Sequence, residues 1–428
     1  MKKLISILLC VLTLVSVLAG CGATEEVTEQ VETVVEDVTE ETTEALPYEG
    51  VELVFWNSYY EGTPEAAVMQ ELADEFKAKT GATIKLEFKG NERRQIMPTA
   101  LESGEKIDMF QATYYEIDSL VNYMADLAPY YEAIDYESFT YPVMIKDMVD
   151  RIGWKGVAYG ASMNTLWYDQ DAFAAAGITE IPVTMEEFAA ACDMLVANGV
   201  APIALDSAYI SNYWGQHIQR FIGQATAKEL SWNGGWSESE GAIAAAQTII
   251  DWVNAGYFAD GAPDIYPTSQ NKIALGQAAM VYCGTWVGKE IEDAMGTDIN
   301  WACMAYPIYD ETIEPNVNSA YSGYLHVNKN CEYPELAFEW LLTIATGEGD
   351  KRRIEVTGTL PGDPNNAPPA DFEGSVEYLS SVEVCLDVAC AVANTDMKVA
   401  LVEVITNLYS GVYATGLEAM QAMDALYG

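Results

Sequence analysis

Histidine is nearly absent: His217 and His326 are the two in the chain, and neither stands in a His-x-x-x-His or Glu-x-x-His arrangement. Zinc chemistry and histidine-dependent triads therefore have no sequence support. No Walker-type Gly-Lys-Ser/Thr and no Gly-x-Gly-x-x-Gly after a strand is present, which removes the usual phosphate cradles. Basic residues are scarce as well, with 21 Lys and Arg against 65 Asp and Glu and a formal charge of −44. That balance excludes nucleic acid or anionic lipid held on a basic face, and it disfavours phosphorylated ligands. After the N-terminus no run of eighteen apolar residues occurs, so the body reads as soluble and globular. Nothing in these patterns calls for a cofactor, a metal or a catalytic residue.

What is present begins with an address. Lys2 and Lys3, an apolar run from Leu4 to Val17 and the small pair Ala19-Gly20 form a signal peptide over 1–20. Leu18-Ala19-Gly20-Cys21 resembles the lipobox of bacterial lipoproteins, which implies a diacylglycerol on the Cys21 thiol. Two or three acyl chains, at about 0.8 kcal/mol per buried methylene, give stable anchoring. Residues 21–47 then form an acidic linker rich in Thr, Glu and Val with no aromatic residue, too poor in apolar surface to offset its ordering entropy. The expected location is the outer face of the cytoplasmic membrane, or the periplasm if the cell has an outer membrane.

Without Cys10 and Cys21 six cysteines remain: Cys192, Cys283, Cys303, Cys331, Cys385 and Cys390. Their spacing matches no metal-ligand pattern. Cys385 and Cys390 are close enough to invite a disulfide, but if Val382–Val392 is a helix their thiols need not face each other, and buried free thiols are the simpler reading.

Roughly 380 residues of body are too many for one core, so two lobes are expected. Val51–Trp56 reads as a strand, and a helix begins near Thr63 or Pro64 with Gly81 as its stop. Thr83–Phe88, Met97–Glu102 and Ile107–Ala112 follow as strand, helix and strand. This β-α-β-α-β order opens a mainly parallel sheet whose loops after the strands, Trp56–Glu61, Gly90–Arg93 and Thr113–Glu116, share one rim. Met185–Asn198, Ala242–Asn254 and Pro334–Ala345 read as helices, and Ala278–Tyr282 and Tyr324–Val327 as strands.

Three ordered stretches carry a further resemblance. Leu101-Glu102-Ser103-Gly104-Glu105-Lys106-Ile107-Asp108, then Trp167–Phe173 with Ala176-Gly177-Ile178 and Pro182-x-Thr184-x-Glu186-Glu187, then Gly276–Met280 with Gly284-Thr285-Trp286 are similar to segments of the carbohydrate-binding extracellular solute-binding proteins. Asp169, Met185 and Ile107 depart from that pattern, where Asn, Trp and Pro are usual. The resemblance implies an α/β, two-lobed, periplasmic-binding-protein-like fold with a hinge, lobe 1 being 48–162 plus 325–357 and lobe 2 being 163–324 plus 358–428. It places chain crossings near Ala161–Thr165, Ser322–His326 and Gly358–Gly362. It implies a monomer that captures a sugar or oligosaccharide and hands it to an ABC permease.

A sugar needs flat aromatic platforms for its C–H face and amides, carboxylates and guanidinium groups for its hydroxyls. On the first lobe Trp56, Asn57, Tyr59, Glu61, Asn91, Glu92, Arg93 and Tyr114 suit that chemistry, and Asp108 ends a stretch near the same rim. On the second, Trp214, Trp232, Trp236 and Trp286 are candidates, Trp286 by resemblance to the stacking aromatic of the family, with Tyr324, Asp206, Gln216 and Tyr321 beside them. Two other readings stay open: a non-sugar ligand such as a polyamine, peptide or ferric ion, and a carboxylate-dependent glycosidase.

Overall fold

Alternation shapes the first strand: Leu53 and Phe55 join one buried cluster, Val54 and Trp56 another. In the computed structural model, which describes residues 46–113, 116–386 and 395–428, that strand is β1, Glu52–Asn57. The others are β2 (Thr83–Phe88), β3 (Met109–Thr113), β4 (Val157–Ser162), β5 (Asn164–Asp169), β6 (Ala201–Ala204), β7 (Ala278–Gly284), β8 (Trp301–Met304), β9 (Val317–Asn318), β10 (Tyr321–Val327) and β11 (Val384–Cys385). The signal peptide, Cys21 and the acidic linker, with Tyr114 and Cys390, lie outside the described residues.

Two sheets make an α/β molecule of two lobes: β2-β1-β3-β10-β4 in the first, β6-β7-β5-β8 in the second. β1 pairs in parallel with β2 and β3, which puts Asn57, Phe88 and Thr113 at one edge of the first sheet. In the second, Asn164 at the start of β5 pairs with Gly284 at the end of β7. β6 runs parallel to β7. Hence the ends of β6 and β7 and the start of β5 share one edge. Because β4 leads into β5 through Met163 alone, both edges lie on the side where the chain crosses.

Local chemistry explains the helices that were legible beforehand. Pro64–Thr80 is capped by the Thr63 hydroxyl, which accepts from the Ala66 N–H at 3.3 Å, and ends at Gly81 with φ 86°. The Pro182-x-Thr184-x-Glu186-Glu187 segment is a capping box: Thr184 Oγ1 accepts from Glu187 N–H at 3.2 Å, and Glu187 Oε2 accepts from Thr184 N–H at 3.0 Å. Two expectations are corrected. β10 begins at Tyr321, since pairing with β3 carries it back to Gly323 and pairing with β4 to Tyr321, so the expected lobe boundary at 324/325 falls within a strand. Val384–Cys385 is not helix but a short strand parallel to β9.

The crossings are pinned by polar groups paired inside the protein. Asn164 N–H donates to Ser319 Oγ at 3.1 Å, Tyr321 hydroxyl to Asn164 Oδ1 at 3.2 Å, and Tyr378 hydroxyl to Ser319 O at 3.0 Å. At the third passage Asp350, fully buried, accepts from Gly362 N–H with both oxygens at 3.1 Å, from Asp363 N–H at 3.2 Å and from Arg353 at 2.6 Å. Gly362 must be glycine, because a Cβ there would come within 2.8 Å of Gly160 N. An apolar cluster containing Ala161, Met163, Trp167, Leu360 and Phe372 runs through the same region, between two cores belonging to the separate lobes.

Removing Asp350 strands a buried guanidinium and two backbone donors. Asp350→Ala is expected to lose about 3–5 kcal/mol of unfolding free energy, measured by urea titration, with Asp350→Asn losing less.

Candidate ligand-binding site

The first-lobe edge is built on a polar frame. Ser58 donates through both N–H (3.1 Å) and Oγ (2.8 Å) to Gln111 Oε1, tying the loop after β1 to β3. Asn57 is fully buried, its Oδ1 accepting from Tyr59 N–H at 3.0 Å, while its Nδ2 has no partner among the described residues. Beneath the loop after β3, Arg93 pairs with both oxygens of Glu116 at 3.2 and 3.1 Å, and Glu116 Oε2 also accepts from Thr113 N–H at 2.8 Å and its hydroxyl at 2.6 Å. Burial works against the Glu116 carboxylate, but the Thr113 bonds and the Arg93 charge outweigh it and hold the carboxyl below its ordinary range. Burial pulls the Arg93 guanidinium down despite that pairing.

Aromatic surface stands on the second-lobe edge. Trp286 follows β7 by two residues and is 39% exposed. Its indole lies flat on Gly284, where a Cβ would meet ring carbons at 2.3–2.5 Å, so the glycine is what lets the ring rest there. Tyr209, in the loop after β6, holds its ring 6.4 Å away at 42°. Asp206 opens that loop, fully buried, accepting from Ala208 N–H at 2.7 Å and Ser269 Oγ at 2.9 Å. Glu290, half-buried on the helix Val287–Met295 after Trp286, accepts from Gln270 Nε2 at 3.3 Å, and burial followed by the Asp206 charge pushes its carboxyl up. Such an edge offers stacking faces and acceptors, and the first-lobe edge offers amides and hydroxyls, groups that complement a polyhydroxylated ring.

The expected residues divide by this geometry. Tyr59, Glu61, Asn91 and Glu92 occupy the first-lobe loops: Tyr59 is half-buried with its hydroxyl 2.8 Å from that of Tyr159, and the other three are exposed. Trp56 is buried under the Lys89 ammonium, 4.6 Å from its ring centre. Arg93 supports the rim from within. Asp108 is corrected, since it precedes β3 at the opposite edge and its carboxylate accepts from Val54 N–H at 2.8 Å, closing the strand ladder. Trp214 and Trp236 are fully buried in the second core, and Tyr324 is buried with its hydroxyl on Asp147 at 3.0 Å. Packing, not a binding surface, accounts for these three. Gln216 is likewise interior, donating to Val317 O at 3.2 Å. Trp232 is 54% exposed, but on the last turn of the helix Gln224–Asn233, away from the strand ends. Tyr209, Glu290, Ser58 and Gln111 were missed. The rule that placed the first rim, reading the loops after strands, finds Tyr209 if applied to the second sheet.

These placements separate by stability. Trp214→Ala should cost about 3–5 kcal/mol through cavity formation. Trp286→Ala should leave the urea midpoint nearly unchanged, because its ring rests on the surface.

The profile of the bacterial extracellular solute-binding protein family matches residues 71–378. Among solved structures, a probable secreted solute-binding lipoprotein from Streptomyces coelicolor superposes with TM-score 0.69 at 17% identity, covering 88% of this chain and 98% of that one. The apo form of RafE from Streptococcus pneumoniae gives TM-score 0.70 at 14% identity over 88% and 97%. RafE in complex with raffinose gives 0.59 at 13% identity over 88% and 98%. No curated protein sequence matches the chain. With two α/β lobes and a family match over most of its length, this chain belongs to the bacterial extracellular solute-binding proteins.

Proposed function

We propose that the protein captures a sugar or oligosaccharide between its lobes and delivers it to the permease of an ABC importer. The observation that carries this reading is the half-exposed Trp286, laid on Gly284 beside Tyr209 at the edge of the second sheet next to the crossings. A flat indole in that place, with the Ser58–Gln111 frame at the edge of the other lobe, suits a ring with an apolar face and a hydroxylated perimeter. Several proteins of similar fold carry names that point the same way: raffinose for RafE, chitin oligosaccharide for another, and b-D-galactopyranose for AcbH. Closure follows from population shift, since a ligand touching both rims binds the closed form better and pulls the hinge toward it. The family is one of binding proteins, and the site is read as holding a ligand without chemistry.

Cys21 is read as the lipid-bearing residue and residues 21–47 as the tether, so that the body works at the outer membrane surface. The protein acts as a monomer in this reading.

In a thermal-shift screen against mono- and oligosaccharides, with polyamines, amino acids and ferric ion as controls, one glycan class should raise the melting temperature. Saturation at 100 times Kd corresponds to about 2.7 kcal/mol. Trp286→Ala should then weaken binding of that glycan by about tenfold or more. A response confined to a non-sugar control would remove the carbohydrate reading. For the anchor, Cys21→Ala expressed in a bacterial host should move the protein from the membrane fraction to the medium or periplasm.

A further inference from the structure

Glu290 stands one turn beyond Trp286, its N–H donating to Trp286 O at 3.0 Å, so carboxylate and indole belong to one short piece of helix. Among the described residues no Lys or Arg pairs with it. Its neighbour Lys289 turns instead to Asp293 at 2.5 Å and Glu292 at 3.6 Å. One Glu290 oxygen takes the single Gln270 bond, and Gln270 is itself buried. Asp206, close enough to raise the Glu290 carboxyl by its charge, also pairs with no Lys or Arg among the described residues, its two oxygens accepting from Ala208 N–H and Ser269 Oγ. The edge beside Trp286 therefore carries two carboxyl groups with no Lys or Arg paired to either among the described residues, and of the two only Glu290 is open to a ligand, Asp206 being fully buried. A half-buried carboxylate left in that state is costly, and a ligand supplying hydroxyl donors relieves it.

From this we propose, resting on the carbohydrate reading above, that Glu290 determines the specificity of the Trp286 subsite: it accepts hydrogen bonds from ring hydroxyls of a neutral saccharide stacked on the indole and excludes saccharides bearing an anionic group there. A uronate or sulfated ring would bring its negative charge against Glu290 and Asp206, with no lysine or arginine to absorb it. A neutral ring presents hydroxyl donors to Glu290 instead. The chain's formal charge of −44 adds a long-range bias in the same direction.

The test uses the full chain and titration calorimetry. Galactose, raffinose, chitobiose and xylobiose are the neutral probes, and the best binder is then compared with the uronate of the same ring. Wild type should prefer the neutral probe by about tenfold or more, since like charges set side by side cost at least that. Glu290→Gln should weaken the neutral probe, strengthen the uronate and bring the ratio toward one, with an unchanged thermal midpoint. Glu290→Asp keeps the charge and shortens the reach, so it should keep the preference while losing affinity for both. If a neutral saccharide binds and Glu290→Gln leaves the ratio intact, the role of Glu290 is overturned and the carbohydrate reading stands. If no saccharide binds wild type, the carbohydrate reading falls and the specificity proposal with it.

Discussion

Among the described residues three passages of backbone join the two sheets, and their polar groups are paired within the protein. Where β4 becomes β5, Asn164 and Ser319 hold one passage to the next. Where the chain passes for the third time, the buried Asp350 carboxylate gathers the Gly362 and Asp363 amides and the Arg353 guanidinium. Losing these bonds would expose donors with no replacement in an apolar surround. Because Gly362 packs against Gly160 at backbone distance, the third passage has one narrow route past the first lobe. The positions of both rims follow from that constraint, since β4 ends and β5 begins on either side of it.

The two rims are then assembled by different means. On the first lobe, side chains brace the rim: Gln111 holds Ser58, and Arg93 and Thr113 hold Glu116 at the end of β3. These groups are placed before any ligand arrives, which reduces the entropy lost on binding. On the second lobe, a missing side chain does the work. Gly284 leaves room for the Trp286 ring to lie along the end of β7, and Tyr209 extends the aromatic surface from the adjacent strand. A polar frame facing an aromatic shelf suits capture by closure, because neither edge alone satisfies both the rim and the face of a sugar.

Much of the architecture was readable from spacing. The strand–helix alternation over 51–112, the Gly81 stop and the helices from Met185 and Pro334 are local signals, set by side-chain periodicity and by which residues can end a helix. The extent of β10 was not readable, because Ser322 and Gly323 have no strand preference of their own and are drawn in by pairing with β3 and β4 on either side. Val384 and Cys385 likewise become strand only because β9 lies beside them. Tryptophan proved ambiguous: Trp214 and Trp236 are core, Trp232 is exposed elsewhere, and Trp286 stands at the rim. Their flanking sequences do not distinguish these fates, since burial depends on what packs opposite.

By itself, the sequence determined the α/β class, the need for two cores, the acidic surface and the family resemblance, because these rest on composition, period and short-range spacing. Only tertiary structure decided that Asp108 closes a strand ladder, that Arg93 braces a rim from below and that Glu290 stands uncompensated beside Trp286. Each of those roles depends on groups that lie far apart in the chain or on the charge left over once all neighbours are in place. Local preference cannot report a charge balance that exists only after the chain has folded.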